Sequence, residues 1–456
     1  MFKRKLLPTL TTALLSSTLI TGVACAGKGS QTGPFAFSPI AGSAYNAAHN
    51  PAQPWVIPMG FEQELVSGEG DLDIYNSDDT DPTFDPDGKN VNGDGYVNTF
   101  YNDWHDMNTV NESGPHTGRF LFRTHEVRGV APGGAVSMVD LKTGSATTII
   151  LGAHSSNPNR PYDALDGIRW TPWGTMLFAE ETTAGRLFEV VFAYDENGIP
   201  NQASVYDRPA VGRVAHEGID IDDEGNIYIV DEFRGQRDGE GGGIYKFVPD
   251  SFGDLSTGNL YVLKAVDNGN EEGLGEAEWV GPIDPLTARQ SGTAEGGTSY
   301  NRPEDLEIID NTLYVAVTEG TYTDGEQNYD GRIIAVNLDT MMITDFVKPG
   351  VNAPLESGND TGFDNPDNLA QTPDGKLIII EDNIPSDIWI AQDDNKDGKA
   401  DGVWLFASLT DPKAEGTGIY FGQDPHTMFV NIQHSVIDDG DGTWAIRKVM
   451  PGKKKD

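Results

Sequence analysis

Residues 216–232 read HEGIDIDDEGNIYIVDE, and the fold follows from how this stretch is built and how often it returns. Ile219 and Ile221 alternate with acids as one half-buried strand, Glu224, Gly225 and Asn226 supply turn chemistry, and Ile227, Ile229 and Val230 form a returning strand. An antiparallel hairpin brings its two ends together. Glu217 and Glu232, fifteen positions apart, are therefore expected to meet at its open end.

The same spacing separates Asp166 from Glu181 (DGIRWTPWGTMLFAEE), Glu304 from Glu319 (EDLEIIDNTLYVAVTE) and Asp367 from Asp382 (DNLAQTPDGKLIIIED). Weaker relatives flank these copies: GRFLFRTHE, ending at Glu126, and GTGIYFGQDPHTMFVNIQH, ending at His434. Between copies, further strands open at Gly133, Gly185, Gly242, Gly331 and Ser386, so each repeat holds about four strands. A four-stranded unit that recurs along the chain is the pattern of a β-propeller, whose blades bury their faces against one another. The pattern returns six times. The expectation is an all-β, six-bladed β-propeller with irregular insertions, its strands delivering the hairpin-end acids to one mouth of a central channel.

At 456 residues the chain is long for one domain, but a propeller is a single closed ring. Its composition is 37% hydrophobic and 22% charged, with 54 glycines and no long periodic helical stretch. Residues 1–26 read as a secretory signal: Lys3-Arg4-Lys5, an apolar run over 6–23, then the small-residue site Ala24-Cys25-Ala26. Cleavage after Ala26 would remove the only cysteine; the competing reading keeps Cys25 as a lipid anchor. No later run is long and apolar enough to span a membrane. The protein is expected to be exported, periplasmic or extracellular, and free of disulfides. Residues 27–52, rich in Gly, Ser, Ala and Asn, read as a mobile lead-in to one propeller domain over 53–450. Residues 54–66 would add a strand closing the ring, and about 68–116 would form an insertion dense in Asp, Asn and Gly.

A net charge of −40 repels nucleic acid and anionic lipid, and a solvated acidic surface accounts for most of the 71 acids. Acids at hairpin ends differ, because strand ends are partly buried. Glu126, Glu180, Glu181, Glu217, Glu232, Glu304, Asp367 and Glu381 are the expected metal ligands, with Asp231, Asp305, Glu319 and Asp382 beside them. Any one alone is more often a strand-end cap. Gathered in a small volume, they could not all ionise unless cations sat among them. Several calcium ions fit all-oxygen ligation best, with magnesium or manganese as alternatives.

A separate stretch, DDNKDGKAD, carries Asp393, Asn395, Asp397 and Asp401 around Gly398. It reads as a secondary calcium loop without the closing glutamate of an EF-hand, or as an ordinary Asx-rich turn; Asn90, Asn92 and Asp94 make a shorter version. Basic and imidazole groups stand among the acids: His125, His216, Lys246, Arg302, Arg332 and His434. Arg302 lies two residues before Glu304, so its planar fork would sit beside a metal held there and suit a phosphate oxyanion bridging that metal. The plain alternative is a salt bridge. There is no G-x-S-x-G elbow, H-E-x-x-H helix or phosphate-cradling P-loop, which demotes serine-nucleophile and zinc-protease readings.

Several motifs now line up in order: Thr124-His125-Glu126, Trp173-Gly174-Thr175 running into Glu180-Glu181, His216-Glu217, Arg302-Pro303-Glu304-Asp305, Asn365-Pro366-Asp367-Asn368 and Phe429-Val430-Asn431-Ile432-Gln433-His434. Together they resemble the PhoX alkaline phosphatases over residues 118–435. The resemblance implies a six-bladed propeller with calcium and iron at the channel mouth, hydrolysing small-molecule phosphate esters outside the cytoplasm. It implies Glu217, Glu232 and Glu304 as metal ligands and Arg302 as the catalytic phosphate contact. The sequence departs from the family at Ala179, where a cysteine ligand to iron is common, and at Lys3-Arg4-Lys5, which lacks a twin-arginine pair. Both departures favour calcium, or another oxygen-loving metal acquired after export, over iron. Two other readings stay open from the residues: a calcium-dependent propeller lactonase or esterase, and a non-catalytic calcium-binding propeller.

Overall fold

The computed structural model describes residues 33–68, 71, 104–127, 134–151, 162–234, 241–266, 272–319, 322–323, 326–327, 331–437 and 440–450. The signal segment and the Asn90 loop lie outside these residues.

Six antiparallel blades of four strands form the ring, with Trp55–Val56 added at the outer edge of the fifth and Gly275–Ile283 bridging the outer edges of the third and fourth. From the channel outward the first is His105–Val110, Phe120–His125, Ala135–Asp140 and Ser145–Leu151, and the second Leu165–Trp170, Met176–Glu180, Leu187–Tyr194 and Pro200–Asp207. The third is Ile219–Ile221, Ile227–Val230, Ile244–Pro249 and Gly258–Ala265. The fourth is Pro303–Ile309, Thr312–Val317, Arg332–Asn337 and Met342–Val347, and the fifth Pro366–Gln371, Leu377–Glu381, Asp387–Gln392 and Gly402–Leu409. The sixth takes Glu415–Phe421, Thr427–Gln433 and Gly442–Lys448 from the end of the chain and Phe61–Gly68 from its beginning. Phe61 pairs with Lys448 and Gly68 with Gly442, so the ring closes as the sequence of 54–66 suggests. Middle strands such as LIIIE and RIIAVN are β-branched and buried on both faces, because each blade is sandwiched between two others.

Two expected boundaries change. His105–Val110 is the innermost strand of the first blade, so the insertion placed at 68–116 ends before it. The stretch expected as a mobile lead-in is packed over its described residues. Phe35 and Phe37 are buried, with ring centroids 5.2 Å and 5.1 Å from that of Phe406. Each buried phenyl contributes about 1.5–3 kcal/mol, and the Gly- and Ala-rich surroundings hid these two anchors.

Ser43, in the same stretch, donates its hydroxyl to the buried carboxylate of Asp387. Burial pushes Asp387 up to about 7, the Ser408 and Ser43 hydroxyls pulling the other way. A raised folded-state value means that this carboxyl's contribution to stability is full below the ordinary Asp range and is lost as pH climbs through about 7. Asp387→Asn is thus expected to raise stability at pH 8 by on the order of 2 kcal/mol and to bring little at pH 4, read from urea unfolding at both values. A larger gain at pH 4 than at pH 8 would contradict this.

The inner ends of neighbouring blades are stitched into a complete circle by at least one hydrogen bond at each junction. Thr124 Oγ1 donates to the Asp166 carbonyl (2.5 Å), His216 N to that of Glu180 (3.1 Å) and Gly218 N to that of Glu304 (3.1 Å). Leu369 N donates to Asp305 Oδ2 (2.8 Å), Gly418 N to Asn368 Oδ1 (2.6 Å) and Thr417 Oγ1 to the His105 carbonyl (2.8 Å). Such close approach needs residues without side chains. A Cβ on Gly167 would stand 1.9 Å from the Glu217 carbonyl oxygen, and one on Gly218 would stand 2.4 Å from Asp305 Oδ1.

Candidate active site

Every innermost strand begins beside an acid: Asp106, Asp166, Glu217, Glu304, Asp367 and Glu415 in ring order. Two backbone devices aim them. Bulges interrupt the ladder after His105, Leu165, Pro303 and Pro366, next to four of these acids, and a bulge re-aims the side chain it carries. Two residues before the same four acids the backbone turns left-handed, at Trp104 (φ 43°), Ala164 (φ 44°), Arg302 (φ 51°) and Asn365 (φ 38°). Non-glycine residues hold this region at a cost of about 1–3 kcal/mol each, where the surrounding structure over-determines it.

The second strands deliver Glu126, Glu181, Glu232, Asp382 and His434 to the same rim. With the six strand-start acids, Arg302, Trp104, Thr417 and Gln433 they line one cavity of about 280 Å³. Carboxylate oxygens of Glu217, Glu232 and Glu304 lie within 4.8 Å of one another, so the ends of the founding hairpin do meet. Arg302 donates from Nε to Glu232 (2.7 Å), holds Glu304 at 2.8 Å and faces Asp382 at 3.7 Å. His434 Nε2 lies 3.2 Å from Glu415 and 3.9 Å from Glu126, to which Gln433 also donates (2.8 Å).

So much negative charge in one buried volume shows in the acidities. Burial first, then Glu304, Asp166 and Asp367, push Glu217 well above the carboxylate range. Burial and Glu232 do the same to Glu304, burial and Asp106 to Asp166, and burial and Asp382 to Glu415. Burial raises Asp367 to about 7. For Arg302 burial opposes the charge, but Glu304, Glu232 and Asp382 outweigh it and the guanidinium is held more firmly protonated than usual. A divalent cation relieves this crowding. The donor set fits one: Asp166 Oδ1 is buried in the cavity wall without a hydrogen-bond partner, and the ligand atoms are carboxylate oxygens. Ala179 instead packs in the apolar layer with Leu187 and Val214.

Of the eight expected ligands the cavity takes Glu126, Glu181, Glu217, Glu232, Glu304 and Asp367. Glu180 and Glu381 stand outside it. Successive residues of a strand face opposite sides, so only one of two adjacent acids can reach the channel. In three blades the first acid turns away and is held. Glu180 accepts from Asp163 N (3.1 Å) and from Arg186 Nε (2.7 Å), Asp231 from Ala215 N (2.9 Å) and Arg289, and Glu381 from Asp364 N (2.9 Å) and Trp389 Nε1 (2.8 Å). The second acid of each pair, Glu181, Glu232 or Asp382, lines the cavity.

Glu319 is engaged by Arg234 and by Asn301 (3.2 Å), and Asp305 caps Leu369 N. His125 bonds the Ser137 hydroxyl (2.7 Å), and His216, lowered to about 3 by burial, stays neutral. Lys246 lies 3.8 Å from Asp222, and Arg332 2.9 Å from Asp345; neither lines the cavity. In the secondary loop, Asp393 and Asp401 accept from the loop's own amides, Gly398 N (2.8 Å) and Asp394 N (2.8 Å), which is the Asx-turn arrangement. Asp106 and Glu415 were missed. Their signal was the position at the head of an innermost strand.

A gluconolactonase from Xanthomonas campestris shares 14% identity at a TM-score of 0.39, covering 76% of this chain and 88% of its own. Far closer in shape is Pseudomonas fluorescens PhoX, solved in complex with vanadate, a transition state analogue: TM-score 0.60, 19% identity, 91% of this chain and 97% of that one covered. No curated protein matches the sequence. The sequence profile of the family described as alkaline phosphatase PhoX matches residues 188–435, more than half of the chain and all of the segment carrying Glu217, Glu232, Arg302, Glu304, Asp367 and His434. The chain belongs to the PhoX alkaline phosphatase family.

Proposed function

We propose that the protein is an exported, cation-dependent phosphatase that hydrolyses small phosphate monoesters in the acidic cavity. The observation that carries the reading is the Glu217, Glu232 and Glu304 oxygen cluster, within 4.8 Å and flanked by the Arg302 fork. Glu126, Glu181 and Asp367, joined by Asp106, Asp166, Asp382 and Glu415, would hold further ions of the same kind. Calcium suits these oxygens, and with Ala179 in the apolar layer the cavity offers no thiolate for iron. Bound cations supply the positive charge that neutralises the ester's oxygens and acidifies the attacking water.

The chain's own part is positioning. Glu232 and Glu304 pin the guanidinium, so that its remaining donors meet the equatorial oxygens as charge develops on phosphorus. Trp104 and His434, with rings 4.8 Å apart, wall one side of the cavity. Export rests on the signal-like residues 1–26 and is tested by fractionating cells. Among the described residues no helix is long and apolar enough to cross a membrane.

The deciding assay is hydrolysis of a chromogenic phosphate monoester, abolished by chelator and restored by calcium. Turnover of lactones or carboxylic esters alone would reassign the enzyme. Inertness toward both classes, with a chelator-sensitive melting temperature, would make it a binding protein. Stoichiometric iron in the purified protein would overturn the calcium assignment.

A further inference from the structure

The hairpin that joins Glu217 to Glu232 is held differently from its counterparts. In the second blade the turned-away acid, Glu180, is neutralised from within the blade. Arg186 leads into the neighbouring strand, its carbonyl accepts from Glu180 N (3.0 Å), and its guanidinium folds back onto the Glu180 carboxylate. The third blade makes the same backbone bond, Asp231 N to the Gly243 carbonyl (2.9 Å), but with glycine where Arg186 would be. A side chain there would force its neighbours to move: a Cβ on Gly243 would stand 2.5 Å from the Tyr245 hydroxyl, and one on adjacent Gly242 would stand 2.2 Å from Pro303 of the fourth blade.

The missing cation comes from elsewhere in the chain. Between the third and fourth blades runs a short helix, Ala288–Ala294, entered through the 3₁₀ turn Pro285–Thr287. The Pro285 carbonyl accepts from Arg213 N (2.8 Å), and Gly292 lets the helix lie against Tyr245 and Val262. Its Arg289 reaches the fully buried Asp231 through two bonds of 2.6 Å, and its guanidinium covers the Phe233 ring at 3.8 Å. Asp231 in turn receives Ala215 N, while Glu232 N donates to the Ala215 carbonyl (2.9 Å). One residue beyond Asp231 is Glu232, and two beyond Ala215 is Glu217.

We propose that Arg289 is a positioning residue for the cation site: through Asp231 it locks the two arms of the hairpin and so sets the distance between the Glu217 and Glu232 carboxylates. This inference rests on the reading of the cavity as a cation site. Residues that orient ligands from behind change metal affinity by about 10–100-fold when removed, and an arginine fork gripping a carboxylate is not replaced in kind by lysine.

The test is calcium titration by calorimetry on the full chain, with Arg289→Met, Arg289→Lys, the charge-balanced double variant Asp231→Asn/Arg289→Met, and Arg208→Met. The last breaks the similar Arg208 to Glu189 pair (2.6 Å) away from the cavity and serves as the structural control. The expected result is calcium affinity at least tenfold weaker in Arg289→Met and in the double variant, partly recovered in Arg289→Lys, and unchanged in Arg208→Met. Affinity within threefold of the parent in a folded Arg289→Met or double variant overturns the inference and leaves the cation reading standing. A parent protein that binds no calcium, manganese or iron overturns both. Should the Arg289 variants fail to fold, amide exchange in the parent decides. Calcium is expected to slow exchange at Ala215 and Glu232 at least tenfold, and unchanged rates overturn the coupling.

Discussion

Arg302→Ala is expected to lower kcat/KM for a phosphate monoester by about 100-fold or more, the loss seen when one preorganised donor to a developing oxyanion is removed. The effect on cations should run the other way. Glu232 and Glu304 now share the guanidinium at 2.7 Å and 2.8 Å, so its removal frees both for an ion and calcium should bind at least as tightly as before. Activity lost while cation affinity is kept or raised separates a substrate contact from a residue that merely holds the cavity together. Arg302→Lys should recover little, since an ammonium cannot span two phosphate oxygens as a planar fork does. A kcat/KM within threefold of the parent for Arg302→Ala would remove it from the mechanism.

Stripping the cations is expected to abolish hydrolysis and to destabilise the ring in a pH-dependent way. A ligand bound only by the native state adds about 2.7 kcal/mol per site at a hundredfold excess over its Kd. Without ions the cavity carboxyls carry folded-state values above their ordinary range, Asp367 at about 7 and Glu217, Glu304, Asp166 and Glu415 raised by burial and then by the neighbouring carboxylates. Their contribution is full in acid and lost as pH rises through those values. The chelated protein should therefore melt highest near pH 5 and progressively lower toward pH 8. Calcium-loaded protein should show the opposite trend over the same range, because ligands must be deprotonated to bind. Parallel melting curves with and without chelator would refute the shared cation site.

The ring and most of its cavity were legible because two periodicities coincide. A hairpin of fixed arm length puts acids fifteen positions apart at one end, and a blade repeat puts all such ends on one rim. Where an arm or turn is longer, the rule fails. Asp106 and Glu126 are twenty positions apart across the long connection 111–119, and Glu415 and His434 nineteen apart across longer arms, so Asp106 and Glu415 escaped notice. Glu180 and Glu381 stand at hairpin ends like their neighbours, and hairpin position alone does not say which of two adjacent acids faces the channel. Strand alternation lets only one of the two face the channel, and some of the partners that hold the other are distant in sequence: Asp163 and Ala215 seventeen and sixteen residues upstream of Glu180 and Asp231, Arg289 fifty-eight downstream of Asp231. Phe35 and Phe37 escaped because composition averages over a window in which two aromatics are outnumbered by small residues.

The borrowed outer strand of the last blade has a consequence for how the protein comes into being. Phe61–Gly68 is made early and waits through almost the whole of translation for Gly442–Lys448, the partner that completes its sheet. Until that final segment arrives, Glu415 and His434 have no finished blade behind them, and a growing polypeptide presents an incomplete vessel. If the cavity holds calcium as proposed, a product cut short before residue 442 is expected to be unable to retain it.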